Sequence, residues 1–481
     1  MADMPAENKK RSAQEKLGTM PIGKLLVTMS VPMMISMFIQ ALYNAVDSMF
    51  VARLSEDALT AVSLALPIQN LMIALAVGTG VGVNALVSRS LGEGNRRRAE
   101  KAANVQVFID LIYAILCVGV GLLFSRRFFQ SQTDVESIID YGAQYVSIIT
   151  IFSLGMFQAQ GLEKLLIATG NATPSMISQA LGAILNIILD PIFIFAFGMG
   201  VAGAAWATNI AMACSCAWAL WYYRPGHSAV RLRWRRIGFY RAYLAKACGI
   251  GLSPALQQLA GSLVNVSLQL AFAYWAVDEA SATAQIASLG IFQMVTMSFV
   301  MPLMGVQQGV APVMGYNWGA RNFRRVREAL FLGLKTSTAV VSLAAALQVF
   351  ASVPVVRLFT DGKDAAFVSL AAGDLRVSNC MLWCIGLNVV TTTYFQAIGR
   401  PRTAILLSLL RQVICLIPCI WLLPYLARAT GLCAPATAIW LAMPISDVLA
   451  CLATVPPFLS HARFLARAGR RQLQNAQIVV N

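Results

Sequence analysis

The sequence predicts an all-α membrane protein of twelve transmembrane helices in two six-helix halves. Three observations carry this: composition, the placement of basic residues and an internal repeat. Of 481 residues, 58% are hydrophobic and only 12% are charged, with a mean hydropathy of +0.66. A soluble domain carries about 25% charged residues. Apolar runs near the ~20 residues that a bilayer core demands recur at 24–50, 58–88, 102–124, 137–160, 174–197, 200–223, 243–275, 283–315, 328–350, 365–397, 403–426 and 433–459. In lipid every backbone polar group must be satisfied internally, and at these lengths that selects helices.

The net charge of +16 raises nucleic acid as a partner, and topology removes it. With the N-terminus taken as cytoplasmic, the two tails and the even-numbered connections hold 30 of the 37 Lys and Arg. The odd-numbered connections hold seven: Arg53, Arg126, Arg127, Arg357, Lys363, Arg376 and Arg428. This asymmetry is a positive-inside signal placing both termini in the cytoplasm of a plasma membrane. The first twenty residues are polar and form a soluble tail, not a signal peptide.

The repeat appears when the chain is laid on itself. "GTGVGVNALVSRSLGEGNRRRAEKA" (78–102) lies over "GVQQGVAPVMGYNWGARNFRRVREA" (305–329), pairing Gly82/Gly309, Gly92/Gly319, Asn95/Asn322 and Arg98/Arg325. "ATGNATPSMISQAL" (168–181) lies over "AIGRPRTAILLSLL" (397–410), and "SVP" at 30–32 matches "LSP" at 252–254. The predicted organisation is a tail (1–22), a first lobe (23–223), a basic linker (224–242), a second lobe (243–460) and a C-terminal tail (461–481). Internal duplication of spanning helices is the architecture of secondary transporters. The ten cysteines lie almost entirely in spans without a C-x-x-C pair. They read as small packing residues, so neither a disulfide nor a cofactor is expected. Histidine occurs only at 227 and 461, which argues against histidine catalysis inside the bundle and against a membrane-bound transferase.

Carboxylates inside spans are costly and mark functional sites by default. Four such groups stand out: Asp47, Asp110, Asp190 and Asp447. Asp47 ends a stripe of Ser36, Gln40, Tyr43 and Asn44 on one face of the first span. Asp190 shares a face of the fifth span with Gln179 and Asn186. At 1.5 Å per residue, Asp47 lies about 9 Å below Arg53 at the outer surface, Asp190 about 11 Å below the end of its span and Thr208 about 12 Å into the sixth span. Two carboxylates, an amide and a hydroxyl at one level suit a proton or a hard cation such as sodium, with Asp47, Asn186, Asp190 and Thr208 as metal ligands in the sodium case. The second half has the matching stripe Gln258, Ser262, Asn265 and Gln269 with no acid, and Cys415 and Cys419 where the first half has Asn186 and Asp190. Asp110 and Asp447 read as helix-packing or cavity-lining groups. Glu163 and Lys164 read as reaching the inner interface, and Arg411 as lining the inner vestibule or snorkelling.

The chain resembles the multidrug and toxic compound extrusion (MATE) family of antiporters over about 20–460. The carriers are "SVP…LYNAVDSMFVARL", "GVNALVSRSLGEGN", "EKLLIATGN", "NIILDPIFIFAFGMGVAGAAWAT" and "QAIGRPRT". Within it the pattern is similar to the branch named after DNA-damage-inducible protein F. The resemblance implies a V-shaped pair of lobes and a coupling site at Asp47, Asn186, Asp190 and Thr208. It also implies a first helix that bends at Pro32, where a proline removes a backbone hydrogen bond. The other bacterial branch uses acids on helices 7 and 10; helix 7 here has none, and Asp374 lies near the outer mouth. The expected function is monomeric, prokaryotic efflux of amphipathic organic cations in exchange for H⁺ or Na⁺. Met37, Gln40, Tyr43, Asn44, Gln69, Met156 and Gln258 are candidate lining residues, although methionine in a bilayer more often serves packing than a pocket. Export or flipping of an endogenous metabolite or lipid-linked sugar is the alternative.

Overall fold

The computed structural model describes residues 15–224, 230–232, 238, 240–360 and 364–480. The expected tail at 1–14, much of the expected linker (225–229, 233–237 and 239) and Lys363 lie outside the described residues. The described chain is helical throughout. Its first half contains α1 (Ile22–Ala52), α2 (Glu56–Gly92), α3 (Arg96–Leu123), α4 (Glu136–Ile151), α5 (Leu154–Ala168), α6 (Ala172–Pro191) and α7 (Val201–Tyr222). Its second half contains α8 (Arg241–Trp275), α9 (Glu279–Gly319), α10 (Phe323–Phe350), α11 (Ala365–Asn379), α12 (Ile385–Ala397), α13 (Pro401–Leu409), α14 (Ile417–Thr430) and α15 (Pro435–Val480).

Among the described residues eight helices are long and apolar enough to cross a membrane, and nine when α4 and α5, bent by 51°, count as one span. α7, α8 and the broken α11–α12 complete twelve. Each falls short for a visible reason: α7 carries Thr208, Asn209 and Ser215, α8 carries Gln257, Gln258, Asn265 and Gln269, and a 3-10 turn at Leu382–Cys384 splits the tenth span into helices of 15 and 13 residues.

The same punctuation recurs in both halves. Asn95 and Asn322 cap α3 and α10, their side chains accepting from the Arg98 and Arg325 amides at 3.0 and 3.3 Å. The fourth span of each half is broken, between α4 and α5 and between α11 and α12. The fifth span of each carries a π-helical stretch, Ile192–Ala196 and Leu410–Leu416.

The chain divides into two compact units: residues 1–255, 308–321 and 396–399, and residues 256–307, 322–395 and 400–481. Within the first unit the repeated glycines explain themselves. A Cβ on Gly92 would stand 1.9 Å from the Tyr316 carbonyl oxygen, and one on Gly319 would stand 2.1 Å from that of Arg89. Residues 89 and 316 are themselves repeat partners, so the two glycine-ended helices cross reciprocally, backbone on backbone. One core of this unit is apolar, built from Val51, Met72, Tyr145, Ile149, Phe157, Ile194 and Val201 among others. In the second unit, Leu268, Phe272, Leu416, Ile420 and Trp440 form a comparable cluster.

Candidate cation site in the first unit

α1 continues unbroken through Pro32 and packs along α6. Two polar rungs join them. Ser36 Oγ donates to Gln179 Oε1 at 2.5 Å, and eleven residues further along both helices Asp47 and Asp190 lie within electrostatic range of each other. Eleven residues are three helical turns, about 16 Å, so the same two faces meet again. The stripe spacing in the sequence is therefore the contact line of two parallel helices.

The local chain holds Asp190 in place. Pro191 follows it with no amide hydrogen, and the π-helical turn Ile192–Ala196 widens the end of the span. Gly198 and Gly200 then take φ of 64° and 56°, the left-handed region that costs a glycine little, and turn the chain into α7. A Cβ on Gly203 would stand 2.7 Å from the Phe193 carbonyl, so α7 rises hard against this turn. That brings Thr208 level with the acids. Asn186 Nδ2 donates to Asp190 Oδ1 at 3.2 Å and to Thr208 Oγ1 at 3.3 Å. All four residues assigned from sequence, Asp47, Asn186, Asp190 and Thr208, therefore come together.

Asp190 and Asn186 are buried, at 0% and 1% exposure. Asp47 Oδ1, Asp190 Oδ2 and Asn186 Oδ1 are buried oxygens without a hydrogen-bond partner. Buried acceptors without a partner are costly. The three unpartnered atoms are all acceptors, which suits a donor or a cation. A proton or a hard monovalent cation supplies what this oxygen set lacks.

Other expected residues divide. Tyr43 lies within electrostatic range of both acids. Gln69 Nε2 donates to the Tyr145 hydroxyl at 2.8 Å, and Tyr145 is itself within range of Asp47, Tyr43 and Asp190. Tyr145 was not among the residues singled out from sequence. A lone tyrosine in "DYGAQYVS" carries no periodic signal, and only the α4 packing shows it. Met37 is buried and its sulfur accepts from Gln308 Nε2 at 3.5 Å. Asn44 is exposed, Gln40 is half-buried, and Met156 packs against the apolar core. Gln258 belongs to the second unit and is half-buried.

Two expectations are corrected. Glu163 and Lys164 do not reach the interface: they are 6% and 9% exposed. Ser178 Oγ donates to Glu163 at 2.9 Å, and Lys164 Nζ donates to Gln308 Oε1 at 2.5 Å. α5 turns these side chains inward, where a polar lining of serine and glutamine receives them. Arg411 does not snorkel either; its Nε donates to Asp447 Oδ1 at 2.5 Å. Asp110 is wholly buried and accepts from Gln106 Nε2 at 2.8 Å.

A twelve-span helical bundle with a buried site of two carboxylates, an amide and a hydroxyl between spans defines a membrane transporter of the duplicated kind. The MatE family model matches residues 32–192 and 259–422, and the chain belongs to that family. A FAD transporter of Shewanella oneidensis is 25% identical, covering 89% of this chain and 92% of its own length. The multidrug export protein MepA of Staphylococcus aureus (strain MRSA252) is 26% identical, covering 90% of this chain and 93% of its own. A solved structure, the outward-facing conformation of a multidrug resistance MATE family transporter of the MOP superfamily, superposes with a TM-score of 0.86 at 25% identity, covering 94% of this chain and 98% of that one. The protein is thus a multi-pass membrane transporter.

Proposed function

We propose that this chain is a secondary active antiporter exporting amphipathic organic cations in exchange for H⁺ or Na⁺, both termini being cytoplasmic. The observation that carries the proposal is the meeting of Asp47 and Asp190 beside Asn186 and Thr208, with three buried oxygens lacking donors. In this reading Asp47 and Asp190 hold the coupling ion, Asn186 orients Asp190, and Thr208 fixes the amide. Two facing carboxylates repel until a positive ion sits between them. Loading the ion then draws α1 onto α6 at the upper rung, and Pro32 lets the lower part of α1 adjust. Work is done because the ion has different affinities for the two arrangements, and substrate affinity must change reciprocally.

Inverted membrane vesicles with ethidium in the outer medium are the direct assay, since export then appears as uptake into the lumen. Imposing a proton gradient or a sodium gradient separately is expected to drive ethidium transport with one of the two ions. Transport that is the same with and without either gradient would remove the antiport reading. A second reading, export of an endogenous metabolite, draws support from the relative named as a FAD transporter.

A further inference from the structure

Among the described residues of the second unit, Arg411 is set deep in a span. Arg411 follows Pro401 by ten residues, about 15 Å of helix, which is half of a hydrocarbon core about 30 Å thick. It sits on the π-helical turn Leu410–Leu416, a kind of helix defect that recurs at functional sites. Asp447, on α15, is 1% exposed in its side chain, and Arg411 is 26% exposed.

How the pair is made matters more than that it is made. Asp447 Oδ1 accepts from Arg411 Nε, on the flank of the guanidinium. Among the described residues neither terminal nitrogen of Arg411 meets a partner. The two-pronged end of a guanidinium is the part that matches the two oxygens of a carboxylate or phosphate. Here the flank is anchored and the fork is left open. The Arg411 side chain is partly exposed, so the fork stays accessible to a solute, and this depth exceeds what an arginine can span by snorkelling.

We propose that Arg411, held by Asp447, binds the carboxylate or phosphate group of a transported solute at mid-membrane depth in the second unit. The fork matches the two oxygens of such a group, and Asp447 fixes its direction. Lipid phosphates lie at the membrane surfaces, about 15 Å from Arg411, so depth favours a solute over a headgroup. The proposal rests on the chain being a transporter and adds an anionic substrate class to its repertoire. It stands independently of which ion drives transport.

Flavin mononucleotide and riboflavin share a ring system and differ by one phosphate, so they isolate the oxyanion. Their binding to the purified full-length protein in detergent is read by flavin fluorescence anisotropy. Wild type is expected to prefer the phosphorylated flavin by about tenfold or more, as a charge-assisted contact implies. Arg411→Gln is expected to lose that preference. The doubly neutral Arg411→Gln/Asp447→Asn, which leaves no unpaired charge to disturb folding, should lose it too. Arg411→Lys, a point charge without a fork, should keep only part. Equal affinities in wild type, or an undiminished preference in the folded double variant, would overturn the site. Displacement of the flavin by phosphatidylglycerol in an Arg411-dependent manner would assign the site to lipid instead and end the solute proposal. No gradient enters this measurement, so its failure is separable from failure of antiport.

Discussion

Asp190→Asn is expected to abolish gradient-driven ethidium efflux while leaving the protein folded and able to exchange substrate at equilibrium. Asparagine has nearly the shape of aspartate and keeps an acceptor for the Asn186 amide, so the 3.2 Å contact survives. What is lost is the charge that attracts the coupling ion. Asp47→Asn should behave alike, because either change leaves a single carboxylate where two face each other. A charge-assisted contact contributes about 1.5–3 kcal/mol, and each 1.4 kcal/mol is a factor of ten, so the loss in driven efflux should exceed tenfold. Substrate counterflow without a gradient reports folding and substrate binding separately. Wild-type driven efflux in both variants would place the coupling elsewhere, with Asp110, wholly buried and hydrogen-bonded to Gln106, the first alternative to examine.

Gly92→Val and Gly319→Val should each deprive the membrane of folded transporter. Added bulk in a packed interior costs about 1–3 kcal/mol when neighbours can shift. Here the atoms met at 1.9 and 2.1 Å are carbonyl oxygens of helical backbone, at Tyr316 and Arg89. Backbone within a helix cannot swing aside as a side chain can, so the helices must separate. Fluorescence-detected gel filtration should show a monodisperse peak for wild type and for Gly94→Ala, where nothing lies within 4 Å of the added carbon but the backbone φ is 72°. It should show aggregate for the two valine variants. A normal peak from both would mean that the reciprocal crossing is not required.

The sequence made most of the site legible because helical periodicity is a local signal. Ser36, Asp47, Gln179 and Asp190 could be placed on contact faces by spacing alone, since a helix rises by a fixed amount per residue. The depth argument that set Thr208 beside them used nothing more. Residues that enter from a third element were not legible in this way. Tyr145 joins through the packing of α4, and Gln69 reaches it from α2. The bend between α4 and α5 hid the fate of Glu163 and Lys164: a straight fourth span carries them toward the surface, and the bent one turns them inward. Likewise the aligned glycines announced a repeat without saying why glycine was needed. The reason is a contact between residues more than two hundred positions apart.

Counting ions on the purified protein tests most directly whether Asp47 and Asp190 share the coupling cation. Substrate is added to protein in weak buffer while protons are followed by a pH dye and sodium by a radioactive tracer. Wild type should release a proton or a sodium ion as the organic cation binds, and Asp47→Asn and Asp190→Asn should bind the same compound and release neither. Equal release from wild type and both variants would contradict the assignment.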